Sequence, residues 1–189
     1  MKAAILSVLL LFSAAGISQQ QVSKSREGAI ANWRSLVPAI KNVLKENNLI
    51  CDYAGGWEPR IADAADFSSS DHMTVALVDW CAGGASTDSI VAMNLQNGKP
   101  VISRFLNAKN QPQTIEFLDG SSVTHSDGVE LVPESNAILS FHWVGSEERT
   151  LDCGVNAFVW QPQLRAFKLE PGLSTKATQS RCQPRSPKG

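Results

Sequence analysis

Trp57, Asp79, Trp80 and Asp88 are residues of the types that grip a small ligand. Aromatic plates beside carboxylates offer an apolar surface with a few oriented acceptors, which suits a saccharide, a peptide or a cation. Cysteine would bring them together. Cys51 precedes Trp57 and Cys81 follows Trp80, so a Cys51–Cys81 bridge draws the loops 53–57 and 79–88 to one end of a sheet. The same residue types have a plainer use at a disulfide-pinned corner. There Trp80 covers the bridge and the aspartates accept hydrogen bonds from turn amides. Both uses leave the same trace in sequence.

No catalytic motif accompanies them. Gly84-Ala85-Ser86-Thr87-Asp88 has the wrong last residue for a nucleophile elbow, and it lies between strands rather than at a strand-to-helix turn. His-Glu-x-x-His, the phosphate-binding Gly-x-x-x-x-Gly-Lys and the dinucleotide fingerprint are absent. The three histidines, His72, His125 and His142, are far apart and belong to no partnered motif. A hydrolytic site would therefore have to be assembled in space, from Asp79, Asp88 or His142. Neither the histidines nor the cysteines stand at zinc-ligand spacing, and the segment 79–88 lacks the run of acidic ligands a hard cation needs. No metal and no cofactor is expected. A formal net charge of −1 gives no broad basic face, which argues against a nucleic-acid partner.

Export is read from the first residues. Met1-Lys2, an apolar run from Ala3 to Ala15 and the small residues Gly16-Ile17-Ser18 are the parts of a secretory signal peptide over 1–18, with cleavage after Ser18 or Ala15. The run is too brief to span a bilayer, so no membrane insertion is expected after cleavage and the destination is periplasmic or extracellular. In such a compartment Cys51, Cys81, Cys153 and Cys182 should be bridged. Three connectivities are possible and sequence alone does not choose. The expected pairing is Cys51–Cys81 with Cys153–Cys182, since each then staples a segment of poor intrinsic order. Each closes a loop of about 30 residues, worth roughly 3–4 kcal/mol in the loop-entropy account.

The elements that must carry these residues are mostly strands. Met73 to Leu106 forms the centre: two apolar runs flank Asn97-Gly98, whose positive φ angles suit a type I′ hairpin turn. A Gln96–Lys99 closing pair makes Leu95 and Pro100 a non-hydrogen-bonded pair, which places the strand 100–106 at an edge able to accept a partner strand. Leu49 to Tyr53, Thr114 to Leu118, Ser121 to Thr124 and Val129 to Val132 are short strand candidates. Asp63 to Asp71 is polar and small, with little in it to order the chain. Ala137 to Val144 alternates, with Leu139, Phe141 and Trp143 on one face and Ser140 and His142 on the other, which predicts one buried and one wet face. Asn156 to Trp160 and Arg165 to Leu169 make a last hairpin around Pro162.

Ahead of the strands, Ile30, Trp33, Val37, Ile40 and Leu44 recur at helical spacing, interrupted by Pro38. A break there gives one helix ending near Arg34 and another from Leu36 to Glu46, capped by Ser35, with Pro38 in its first turn. The stretch 174–189 carries Lys176, Arg181, Arg185 and Lys188 with no acid and reads as a solvated basic tail tethered by Cys182. The fold class is therefore α+β: a single domain over 19–173, with an N-terminal helical segment packed on a mainly antiparallel sandwich or barrel, stapled by disulfides. The functional expectation is a non-catalytic binding or inhibitor-type module for a protein, peptide or saccharide. The alternative is a small secreted hydrolase.

Overall fold

Strands β1 (Arg60–Asp66), β2 (Thr74–Asp79), β3 (Ile90–Gln96) and β4 (Lys99–Ile102) form one antiparallel sheet in that order. A second sheet has the order β6-β5-β10-β9-β8-β7, from β5 (Phe105–Leu106), β6 (Pro112–Gln113), β7 (Gly128–Val132), β8 (Ala137–Trp143), β9 (Cys153–Gln161) and β10 (Ala166–Leu169). Among the described residues its only parallel pair is β5 with β10. Helices α1 (25–35) and α2 (Val37–Glu46) precede the strands and α3 (Pro171–Arg181) follows them. The computed structural model describes residues 25–51, 57–67, 73–81, 90–115, 128–143 and 153–182. The expected signal segment 1–18, the strand candidate 121–124, Asp88, His72, His125, the side chain of Trp143 and the tail beyond 182 lie outside the described residues.

Alternation along β2 and β3 explains why the first sheet is buried on both faces. Val75, Leu77, Ile90 and Ala92 face the second sheet, where they meet Ile138, Phe158 and Phe167. Ala76, Val78, Val91 and Met93 face the helices and meet Trp33, Ile40 and Leu44. A third cluster joins Leu139, Val155 and Ala157 of the second sheet to Ala177 and Cys182. The architecture is thus four layers, helix–sheet–sheet–helix, an α+β sandwich rather than a barrel.

Pro38 does break the N-terminal helix, as its chemistry requires. Leu36 is the N-cap of α2, so Pro38 falls in the first turn, where its missing N–H is not needed. Ser35 is not the cap: α1 runs through it and its hydroxyl donates back to the Asn32 carbonyl at 2.6 Å. Asn48, at φ 60°, ends α2, with its own N–H bonded to Lys45 O and that of Leu49 to Leu44 O. Leu49 to Cys51 is then irregular rather than a strand, as are Thr114 and Ile115.

β1 lies where the sequence offers no strand pattern. Its buried residues are Ile61, Ala64 and Ala65, and a bulge between Ile61 and Asp63 sets Ile61 and Ala64, three apart, on one face. Small alanines carry little strand signal, so this strand is ordered by pairing with β2. Asp63 takes part in two ways: it accepts the Ala64 N–H at 2.8 Å and it pairs with Arg26 of α1, whose Nε donates at 2.7 Å. That hydrogen bond raises the Arg26 pKa further above its ordinary value, against the opposing effect of partial burial.

The central hairpin has the expected register, with Leu95 opposite Pro100, Gln96 opposite Lys99, and Asn97 and Gly98 at φ 52° and 75°. β4 is an edge. The run 100–106 is nevertheless not one strand: it bends at Ser103-Arg104 and Phe105-Leu106 joins the other sheet, because Phe105 belongs to the inter-sheet core.

The segment read as a tail from residue 174 is helical to Arg181 and is fastened to an open edge. β10 pairs with β9 only as far as Leu169 opposite Phe158, leaving 153–157 without a strand on that side. The Glu170 N–H donates to the Ala157 carbonyl, the Ser174 hydroxyl accepts the Ala157 N–H and the Thr178 hydroxyl accepts the Val155 N–H, each at 2.9 Å. Cys182 is bonded to Cys153. Four helical residues advance about 6 Å and two strand residues about 6.6 Å, so the series 174, 178, 182 runs in step with 157, 155, 153. This helix is held by hydroxyls rather than by an apolar stripe, which is why composition reads it as solvated.

Both faces of β8 are covered: Ile138, on the Ser140 and His142 face expected to be wet, packs between the sheets, and Leu139, on the opposite face, packs toward α3. His142 lies opposite Gly154, and a Cβ built at Gly154 would touch His142 Nε2 and stand 2.7 Å from its Cε1. Gly154→Ala should therefore cost about 1–3 kcal/mol, the usual range for overpacking. Most of that loss should vanish in a His142→Ala background, as urea midpoints of the four proteins in the cycle will show.

Candidate functional site

Both disulfides form with the expected connectivity, Cys51–Cys81 and Cys153–Cys182, at Cα separations of 5.1 and 5.3 Å. They sit at the same end of the sandwich, where β2 and β8 finish and β3 and β9 begin. The first bridge gathers Trp57, Asp79 and Trp80, three of the four residues singled out from sequence; Asp88 lies outside the described residues.

At this corner the gathered groups bond to one another. Trp57 donates its indole N–H to the Trp80 carbonyl, and Lys41 Nζ stands 5.4 Å from the Trp57 ring centroid, a cation–π contact. Asp79, 1% exposed, accepts the Cys81 N–H on Oδ1 and the Arg60 guanidinium on Oδ2, both at 3.1 Å. A buried carboxylate is tolerated only with such partners. Among the described residues His142 and Asp79 are not joined by a hydrogen bond, and His142 Nδ1 is buried without a partner there. Among the described residues no cluster of His, Cys, Asp or Glu is placed to hold a metal ion.

The β4 edge presents little to a partner strand. It is four residues long, and the ladder register turns the N–H of Ile102 outward while Pro100 has none. Helix α2 packs beside it.

The opposite end of the sandwich holds a cleft of about 720 Å³, within the range of small-molecule sites. Its walls are the β3–β4 hairpin, the start of β2 and the β9–β10 turn. Met73 and Trp160 give an apolar floor, and Trp160 is wedged against Phe167 at 5.2 Å between ring centroids with its Nε1 buried and unpartnered. The polar side chains among the described lining residues are Thr74, four carboxamides (Asn94, Gln96, Asn97 and Gln163) and the guanidinium of Arg165, with no carboxylate among them.

Asn94 is 3% exposed, and its Oδ1 accepts the buried Ser103 hydroxyl at 3.0 Å. No protein group takes its amide protons among the described residues, although the side chain lines the cleft. A smaller cleft of about 390 Å³ lies between the end of α2 and residues 102–105 and 112–115.

Sequence reasoning passed over this cleft, yet it left a trace. The inward stripe of β3 reads Ile90, Ala92, Asn94, Gln96: it turns from apolar to carboxamide as it approaches the hairpin. A core stripe that becomes polar before its strand ends marks a place where the core opens. The chain matches no protein-family model, no curated protein and no solved structure in the comparisons made. The class defined by fold and site is therefore a disulfide-stapled, four-layer α+β sandwich with a polar cleft at one end. No helix among the described residues is long and apolar enough to cross a membrane.

Proposed function

We propose that this chain is an exported, non-catalytic binding module that takes its ligand in the end cleft. The observation that carries the reading is the cleft itself: about 720 Å³, an apolar floor, and converging amide donors and acceptors that include the buried Asn94. Such a surface orients a ligand by hydrogen bonds, and its described residues include no pair of titratable groups to move a proton. Two disulfides agree with an oxidising compartment, and the amino-terminal signal pattern supports export.

Amide chemical-shift mapping against saccharide and peptide panels tests the proposal. Shifts are expected at 73–74, 94–97 and 160–165. Gln96→Trp, which fills the mouth of the cleft from an exposed position, should weaken binding at least about ten-fold and leave the fold intact. Turnover of an ester, peptide or glycoside that disappears in Asp79→Asn or His142→Ala would overturn the reading in favour of a hydrolase.

A further inference from the structure

From the left-handed arginine at the cleft rim we infer that the ligand is an acidic saccharide, its carboxylate held by Arg165 and its hydroxyls by the carboxamides. The inference rests on the cleft being the ligand site. Five described non-glycine residues have positive φ: Asn48, Asn97, Asn110, Asn136 and Arg165. Four are asparagine, the side chain that best tolerates this region, and the fifth is an arginine.

A twin turn shows what the position asks for. Val132-Pro133-Glu134-Ser135-Asn136-Ala137 joins β7 to β8, and Gln161-Pro162-Gln163-Leu164-Arg165-Ala166 joins β9 to β10. Each is one 3-10 turn beginning at proline, and each ends on a left-handed residue, Asn136 at φ 49°, ψ 41° and Arg165 at φ 47°, ψ 48°. Their closing bonds match, Asn136 N–H to Pro133 O at 3.1 Å and Arg165 N–H to Pro162 O at 3.2 Å. In this pair of turns the fold uses asparagine at the position that does not line the cleft. It keeps arginine, against local preference, where the turn borders the cleft.

Arg165 is exposed, and its guanidinium makes no ion pair or hydrogen bond with the described residues. Among the described residues that line the cleft there is no carboxylate to neutralise it. A guanidinium fork fits a carboxylate in two parallel bonds. Carboxamides set a donor beside an acceptor, the pattern presented by neighbouring hydroxyls on a sugar ring. A peptide fits less well, since it is usually read through a main-chain ladder and both hairpins bordering the cleft have already paired their strands with each other.

The test is calorimetric titration of the disulfide-bonded protein with trimers of galacturonate and glucuronate, and with their uncharged methyl esters. The free acids should bind, with the esters roughly 10–100-fold weaker, as expected for loss of a charged hydrogen-bonded pair. Arg165→Asn should bring the acids to the ester level while leaving Tm unchanged or raising it by about 2–4 °C, because asparagine relieves the left-handed turn. Equal affinity for acid and ester, or acid binding unchanged in Arg165→Asn, overturns the carboxylate assignment and leaves the cleft reading standing. Peptide binding blocked by Gln96→Trp, with no uronate bound, overturns the saccharide assignment alone. A protein that binds nothing in the cleft from either panel fails both.

Discussion

Replacing Cys153 and Cys182 together with alanine is expected to lower stability by about 3–4 kcal/mol, and Tm by roughly 6–16 °C for a chain of this size. The bridge spans 29 positions, so its absence returns a long loop to the unfolded ensemble. The local consequence is more specific. Helix α3 is strapped to β9 at Ala157, Val155 and Cys153, and the disulfide is the last of these fastenings. Without it α3 should fray from its C-terminal end. The amide of Val155, bonded to Thr178, should then exchange faster than that of Ala157, bonded to Ser174 one helical turn nearer β10. Cys51→Ala with Cys81→Ala, a bridge spanning 30 positions, should cost a similar amount globally and leave the difference between the two amides as it was. Equal exchange at 155 and 157 in the first variant would mean that the hydroxyls alone hold the helix.

What could be read from the chain divides along a physical line. The central hairpin, the last hairpin and the break at Pro38 were legible because each rests on local chemistry, Asn97-Gly98 and Pro162 for the turns and a ring without an N–H for the break. The disulfide pairing, by contrast, one of three the sequence allowed, was expected from the segments each bridge would staple and is the one that forms. β1 and α3 were not legible because their order comes from partners. Ala64 and Ala65 become strand residues only beside β2, and Ser174 and Thr178 become a docking face only beside an unpaired stretch of β9. The corner of Trp57, Asp79 and Trp80 was legible as a juxtaposition, whereas the internal bonding of Asp79 to Arg60 and Cys81 needed coordinates. The cleft was hidden because two hairpins 65 residues apart make it together, as the distance from Gln96 to Gln161 shows. Only the carboxamide stripe of β3 pointed to it.

Phe167→Ala should be the most damaging single substitution in the inter-sheet core, at about 3–5 kcal/mol. Phe167 is fully buried and meets three rings, with centroids at 5.2 Å for Trp160, 5.5 Å for Phe105 and 5.9 Å for Phe67. Truncation removes those contacts and leaves a void that strands paired on both sides cannot close. Trp160 is also the floor of the cleft, so the lost stability should come with weaker ligand binding as its indole gains room to move. Trp33→Ala separates the two effects. Trp33 is equally buried, but in the layer between the helices and the first sheet, and no residue of its cluster except Leu95 borders the cleft. It should cost about 3–5 kcal/mol as well and leave affinity within about two-fold under conditions where both variants remain folded. Denaturant midpoints paired with ligand titrations at low temperature provide the check. Equal losses of affinity in the two variants would show that binding follows global stability rather than the shape of the cleft floor.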